Sequence, residues 1–176
     1  SFNHESWIRD ANVDTVEAEL RQAEEAISDA TGKRPRGFRG PGYACSETTL
    51  SALCRLRYQY DASKCPTILG PLARLYYMRD AKMSPEERHK RRELFGTFRS
   101  GFSPLCPYEW HTKDGNILEV PVTTMPVLRV PFHLSYLLWL SARSRFAALW
   151  YFRFALRMCR IRRIEPSFLL PPLDFL

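Results

Sequence analysis

Apolar residues recur at helical spacing near the start of the chain, between acidic and polar positions. They are Val16, Leu20, Ala23 and Ile27. Asp14 suits the N-cap of such a helix, since Glu17 follows three residues later as in a capping box. Gly32 supplies a residue that ends helices in the left-handed conformation. The pattern therefore predicts an amphipathic helix with an acidic outer face.

Short strand-like segments alternate with further helical segments along the chain. We predict strands at residues 36–39, 58–61, 117–122 and 168–170. Ser46 is a candidate cap for a second helix. Ser84, with Pro85 and two acids behind it, marks the start of a third. Glycines and prolines make residues 95–116 a loop or irregular hairpin. A long helix rich in Leu, Phe, Trp and Arg is predicted over about 132–162.

This alternation of helices and strands is typical of an α/β fold with parallel strands. Four strands would form an incomplete barrel or a small open sheet. In barrels of this kind the catalytic groups lie on the loops that follow the strands. We therefore expect function in the loops at 40–45, 61–66, 123–133 and 171–174.

Composition adds a strong asymmetry of charge to this picture. The 176 residues carry 26 Lys and Arg against 19 Asp and Glu, yet residues 1–30 hold eight acids and two bases. Seven arginines lie between residues 143 and 163. Such a basic segment attracts phosphates, anionic lipids or acidic polysaccharide, or it is the solvated face of a helix. No stretch of about 18 residues is free of charge, which excludes a polytopic membrane protein.

The five cysteines are odd in number, and no two have C-x-x-C spacing. This argues against a structural zinc site and against a full set of disulfides. No signal peptide is recognisable in the sequence. Reduced thiols in a cytoplasmic protein, in part at the inner face of a membrane, are the expectation.

Among the four histidines, His89 and His111 lie in polar surroundings that indicate surface positions. His133 falls in the first turn of the long predicted helix, just after a strand-end loop, where it either faces a site or packs and caps. The segment 39–43 is more informative. An arginine at a strand end can hold a carboxylate in a bidentate pair, and the turn behind it can present backbone N–H groups to an oxyanion. An ordinary Pro-Gly turn is the alternative.

Three blocks of sequence resemble the polysaccharide deacetylase family, whose domain is also called the NodB-homology domain. They are residues 31–35 after the first helix, residues 37–43, and residues 58–63. Residues 118–126 and 166–175 resemble the family's final strands, and residues 67–116 are the least diagnostic. The resemblance implies that residues 1–176 are the C-terminal part of one such domain, a partial, distorted β/α barrel without its N-terminal strands.

The family's metal motif is His-[Ser/Thr]-x-x-His, and the resemblance makes His4 its second histidine. It implies a divalent metal, usually zinc in this family, whose other ligands lie upstream of Ser1. The implied reaction is removal of N-acetyl groups from a carbohydrate, either a polysaccharide or a lipid-linked glycan. Arg39 would orient the upstream catalytic aspartate. The Gly42 backbone N–H would stabilise the oxyanion.

Two departures from the family pattern qualify these roles. Gly42 stands where most relatives have an aromatic residue, so we expect Tyr43, with Pro41 beside it, to form the substrate wall. Pro171 stands where the family's Leu-x-x-His motif has its general acid, and proline transfers no proton. His133 is then the best candidate for the general acid.

Other classes of function remain open at this point. Pro171 also motivates a non-catalytic relative that binds glycan. The apolar and arginine-rich residues of the segment 132–163 motivate peripheral contact with a membrane surface, against a helix packed into the core. Nucleic acid is not an expected partner. We expect the chain by itself to be inactive, because the implied catalytic aspartate lies upstream.

Overall fold

A computed structural model of the chain describes residues 2–3, 6–70 and 101–170. These residues form a mixed α/β structure in which helices pack beside one four-stranded sheet. The prediction of an α/β fold is confirmed at this level. The predicted helix that begins at Ser84 lies outside the described residues.

Helix α1 spans Val13–Thr31 and follows a short 3-10 helix at Ser6–Asp10. The predicted N-cap at Asp14 is wrong. The side chain of Asn12 caps the helix instead, since its Oδ1 accepts the backbone N–H of Thr15 at 2.8 Å. Asp14 lies inside the first turn, where its charge favours the helix dipole. The predicted end at Gly32 is confirmed, with φ of 69° at that residue.

Helix α2 spans Glu47–Arg55 and begins as predicted at Ser46. The Ser46 hydroxyl accepts the backbone N–H of Thr49, which satisfies one of the donors that a helix start leaves unpaired. Helix α2 buries Leu50 and Leu53 among other residues against α1 and the sheet. It thereby holds the loop before it in place.

The sheet contains β1 (Gly37–Phe38), β2 (Tyr60–Asp61), β3 (Tyr108–Thr112) and β4 (Gly115–Glu119) in the order β1-β2-β4-β3. β1, β2 and β4 run parallel, as the alternation predicted. β3 is antiparallel to β4, so an all-parallel sheet is wrong. The sheet is mixed because a short turn joins β3 to β4. A connection of that length can join neighbouring strands only when they are antiparallel.

A first core cluster lies between the sheet and the two N-terminal helices. Val16 and Leu20 of α1 meet Leu53 of α2 and Ile117 of β4, all at 2% exposure or less. Burial of these side chains stabilises the packing of both helices against the sheet.

The predicted long helix is two helices, α3 at Leu134–Ser141 and α4 at Arg145–Ile161. The helix is interrupted between Ser141 and Arg145, and the side chain of Ser144 accepts the backbone N–H of Ala147 and so caps α4. A strand at 168–170 is also wrong, because those residues belong to no strand. The residue just before them contacts the loop after β4, since Ser167 N–H donates to Thr123 Oγ1 at 2.7 Å and Thr123 N–H donates to Ser167 O at 3.1 Å.

A second core cluster joins α4 to the chain that precedes α3. Phe132 and Cys159 are buried in it, and the Phe132 and Phe152 rings lie 6.4 Å apart. The opposite face of α3 and α4 is exposed, with Phe146 at 80% and Trp150 at 60% exposure. No helix among the described residues is both long enough and apolar enough to cross a membrane.

Candidate functional site

The carboxyl ends of three parallel strands meet at one edge of the sheet and carry the loops of interest. Backbone bonds continue past the strands, since Ala62 N–H donates to Phe38 O and Val120 N–H donates to Asp61 O, both at 2.8 Å. The residues that follow β1, β2 and β4 are therefore held side by side. Open parallel sheets place ligands at this edge.

The turn after β1 is strained and tight. Gly42 and Tyr43 both take left-handed backbone angles, with φ of 60° and 64°. A side chain at Gly40 would collide with the carbonyl oxygen of Ala44, so the turn closes only with glycine there. A tyrosine in this conformation is uncommon. Strain of this kind clusters at functional sites, which makes this turn a candidate.

Arg39 and Ser63 tie this turn to the loop after β2. The Arg39 Nε–H donates to the carbonyl oxygen of Ala62 at 2.9 Å. The Gly40 N–H donates to Ser63 Oγ at 2.8 Å, and that hydroxyl donates to Asp61 Oδ1 at 2.6 Å. Two of the three blocks that carry the family resemblance, residues 37–43 and 58–63, are thus joined by a continuous chain of hydrogen bonds.

A cavity of about 100 Å³ opens beside this turn. Its lining residues come from the turn, the loop after β2 and the start of α3, and they are Tyr43, Cys65, Thr67, Gly70, Pro131, His133 and Tyr136. His133 is the N-cap residue of α3, and its ring meets that of Tyr136 edge-on at 4.6 Å. Burial raises the pKa of Tyr43 above its usual value, although nearby Arg39 acts in the opposite direction. The Tyr43 phenol therefore stays protonated near neutral pH and can donate a hydrogen bond.

The ends of β2 and β4 bring together two buried carboxyl groups, Asp61 and Glu119, and the thiol of Cys45 adjoins them. One ligand atom from each of these three residues lies within 4.8 Å of the others. Glu119 Oε1 accepts the Lys64 backbone N–H and Oε2 accepts the Trp110 indole N–H, both at 3.0 Å. The three side chains form a group that could hold a metal ion.

Burial and mutual repulsion shift the titration of this group. Burial, followed by the charge of Asp61, raises the pKa of Glu119 to about 8. Burial likewise raises the pKa of Asp61, against the hydroxyl hydrogen bond from Ser63. Burial raises the pKa of the Cys45 thiol to about 12, with both carboxylates adding to the effect. Without a cation, the group therefore retains protons near neutral pH.

The structure brings part of the sequence-predicted site together. Tyr43 and His133 line the same cavity, and Arg39 and Gly42 lie in or next to the strained turn. Pro41 is buried in that turn. The roles assigned to these residues stay predictions. His4 and Pro171 lie outside the described residues.

Sequence reasoning missed the group formed by Cys45, Asp61 and Glu119. Asp61 and Glu119 each stand in a strand-like segment as its only acid, which is a usable signal for a buried carboxylate. Cys45 gave none, since its spacing to the other cysteines matches no metal motif. All five cysteines are described and none forms a disulfide, in line with the expectation of reduced thiols.

Comparison with protein-family models, with curated proteins and with solved structures found no match to this chain.

Proposed function

We propose that the chain is the C-terminal part of a hydrolase that removes N-acetyl groups from a carbohydrate. The observation that supports this proposal is the cavity at the carboxyl edge of the sheet, where Tyr43 and His133 meet beside the turn that Arg39 begins. The proposal includes a distorted β/α barrel, of which β1, β2 and β4 would be the last parallel strands. The substrate would be a polysaccharide or a lipid-linked glycan.

In this proposal Arg39 is a positioning residue. Its bond to the Ala62 carbonyl uses one of five guanidinium N–H donors, so the remaining fork can pair with a carboxylate. That bond also fixes the direction in which the fork points. The carboxylate would be a catalytic base contributed from upstream of Ser1, held ionised by the positive charge.

The turn and the cavity would act on the acetyl group and on the leaving amine. The N–H of Gly42 would donate to the oxyanion, while Tyr43 would form the wall against which the sugar lies. His133, which lines the same cavity, would donate a proton to the leaving amine. The oxygen of a water molecule bonds to the acetyl carbon, and the amide C–N bond breaks. The products are acetate and a free amino sugar.

The resemblance also implies a divalent metal, with zinc the usual ion, which would activate water and polarise the acetyl carbonyl. Its ligand in this chain would be His4, which lies outside the described residues. Apart from the upstream catalytic base, the roles proposed here therefore belong to described residues of the chain. The three-residue group of Cys45, Asp61 and Glu119 is a different set of donors and has no part in these steps.

Acetate release from N-acetylated oligosaccharides tests the proposal. Because the catalytic base would lie upstream, the assay uses the whole natural protein beside the isolated chain. We expect His133→Gln to lower kcat by about 100-fold or more, the usual effect of losing a general acid. His111→Gln is the matched control, since that histidine is exposed on β3, and it should leave kcat unchanged.

Two outcomes would contradict the proposal. Equal activity of wild type and His133→Gln would remove His133 from the mechanism, and strong activity of the isolated chain would show that no upstream group is needed. Glycan binding without any acetate release would favour the non-catalytic, glycan-binding alternative. That result would leave the cavity as a binding site only.

A second candidate function is peripheral contact with an anionic membrane surface. The observation that favours it is the exposed face of α3 and α4, which carries the large side chains Trp139, Phe146, Leu149, Trp150 and Ile161. The segment 132–163 adds seven arginines and contains no acidic residue. The Arg143 guanidinium lies 3.8 Å from the centre of the Trp139 ring. Aromatic and arginine side chains on one surface suit the boundary between lipid headgroups and acyl chains.

Sedimentation with lipid vesicles tests this candidate. We expect binding to vesicles that contain phosphatidylserine, weakened by salt, with about fivefold loss for each arginine replaced, as in Arg153→Gln. The double variant Phe146→Ser and Trp150→Ser should reduce binding further. Ile27→Ser, a change at an exposed position on the acidic helix α1, is the control. Vesicle binding that depends neither on the salt concentration nor on the phosphatidylserine content would contradict this candidate function.

A further inference from the structure

One group of side chains at the sheet edge is used by neither proposed function. It consists of Cys45, which follows the strained turn, Asp61 at the end of β2 and Glu119 at the end of β4. Their ligand atoms lie within 4.8 Å of one another. Three separate segments of chain thus converge on one small volume.

One oxygen of the Asp61 carboxyl group receives no hydrogen bond from a donor in this group. The residue is 1% exposed, and its Oδ1 accepts the Ser63 hydroxyl at 2.6 Å. Its Oδ2 is buried and accepts no hydrogen bond from a donor of the described residues, and the adjoining Glu119 carboxyl can bond to Asp61 only when one of the two is protonated. Buried polar atoms are nearly always partnered, because removing one from water without compensation costs free energy. A positive species at this position would supply what is missing.

Glu119 is oriented as a ligand would be. Its two oxygens accept N–H donors from Lys64 and Trp110, which fixes the carboxyl group in one position. Each carboxylate oxygen has a further lone pair, so these bonds leave the group able to coordinate an ion. Partners of this type orient metal ligands in known metal sites.

We propose that Cys45, Asp61 and Glu119 bind one divalent transition-metal ion of the zinc class. A thiolate selects against Mg²⁺ and Ca²⁺, which prefer oxygen donors only, and two carboxylates complete a set that zinc accepts. On binding, the sulfur–metal bond forms as the Cys45 thiol gives its proton to solvent. The ion would tie the turn after β1 to β2 and β4. This proposal does not depend on the deacetylase, because the residues differ from those that the resemblance implies.

A proton shared between the two carboxyl groups is the competing occupant. It would relieve their repulsion without any role for sulfur. The two occupants differ in their dependence on Cys45. The experiment therefore uses a probe that reports a bond to thiolate sulfur.

Titration of the chelator-treated chain with Co²⁺ provides that probe. We expect one Co²⁺ per chain and an absorption band for charge transfer from thiolate to cobalt. Zn²⁺ should abolish the band, while Mg²⁺ and Ca²⁺ should leave it intact. Zn²⁺ should also raise the thermal midpoint of unfolding, because an ion that binds only the native state stabilises it.

Variants assign the band to the three residues. Cys45→Ser should remove the band and weaken Co²⁺ binding by more than about 100-fold, while Cys106→Ser, at an exposed cysteine, is the matched control. Trp110→Phe keeps all three ligands but loses the indole donor to Glu119, so we expect the weakening of about 10–100-fold typical of lost ligand orientation. Far-UV circular dichroism confirms that each variant is folded.

No band in the wild type would overturn the proposal, as would a band that persists in Cys45→Ser or disappears in Cys106→Ser. If Co²⁺ does not bind and Glu119→Gln raises stability, the occupant is the shared proton. If Glu119→Gln does not fold, the pair of cysteine variants decides by itself. None of these outcomes depends on deacetylase activity, so failure here leaves the proposed function standing.

Discussion

The two pairs of helices in this chain treat their apolar residues differently. Helices α1 and α2 direct Val16, Leu20 and Leu53 into the first core cluster. Helix α4 buries Ala155 and Cys159 in the second core cluster and leaves Phe146 and Trp150 in solvent, while α3 has no buried residue. A packed helix needs only one apolar stripe. The first pair of helices therefore buries its apolar stripe in the core. The second pair has large apolar side chains that stay exposed to solvent after folding.

The largest expected effect comes from breaking this contrast with one substitution in each region. Leu53→Ala, at 0% exposure, should lower the free energy of unfolding by about 2–5 kcal/mol, since it leaves a cavity in a packed cluster. Phe146→Ala, at 80% exposure, should change it by less than about 0.5 kcal/mol. Urea unfolding followed by tryptophan fluorescence measures both. A strongly destabilised Phe146→Ala would show that the exposed face is covered when the chain folds.

The same contrast explains how much of the fold could be predicted from the sequence. Helix α1 was predictable because its apolar stripe has a single period and ends at Gly32. The break between α3 and α4 was not, because apolar residues and arginines continue through it and only the hydroxyl of Ser144 marks the new start. β3 was predicted only as part of a loop or irregular hairpin, because it is an edge strand whose residues alternate only between half-buried and exposed positions.

The candidate site divides along a similar line. Arg39 and the turn at 40–43 were predictable from local sequence, since Gly42 stands where the backbone turns left-handed and Gly40 stands where a side chain would collide with Ala44. The left-handed angles of Tyr43 were not predictable from its residue type. The approach of Cys45 to Asp61 and Glu119 was not, because it depends on strand order and register, which no local pattern encodes. Distant segments meet there through the parallel pairing of β2 with β1 and β4.

Asp61 and Glu119 are buried carboxyl groups beside the first core cluster, whose other buried side chains are mostly apolar. The second prediction concerns the effect of pH on this carboxyl pair. Glu119 is faced by Asp61, Cys45, Lys64 and Tyr108. Its pKa is raised to about 8 from an ordinary value of 4.5, mainly by burial. The folded chain then binds more protons than the unfolded chain between those values. The stabilisation that comes from the raised pKa of Glu119 is therefore fully present below about pH 4.5 and is lost as the pH rises towards 8.

We expect a loss of about 3–4 kcal/mol in the free energy of unfolding between pH 5 and pH 8, measured by urea unfolding with a chelator present. Glu119→Gln should remove most of this slope, because the amide does not titrate. Glu109→Gln is the control, since that glutamate is exposed on β3. A flat profile for the wild type, or a slope unchanged in Glu119→Gln, would show that Glu119 titrates normally.

The smallest effect concerns the first turn of α1, where the structure and the sequence pattern disagree about one residue. Asn12→Ala removes the side chain that accepts the Thr15 N–H at 2.8 Å, so we expect a loss of about 1 kcal/mol that salt does not change. Asp14→Ala removes only a charge that favours the helix dipole, so its cost of about 0.5 kcal/mol should shrink as salt screens it. Urea unfolding at low and high salt separates the two. A larger, salt-independent loss of stability for Asp14→Ala would instead make Asp14 the N-cap, as the capping-box pattern indicates. Helix α1 would then begin two residues later.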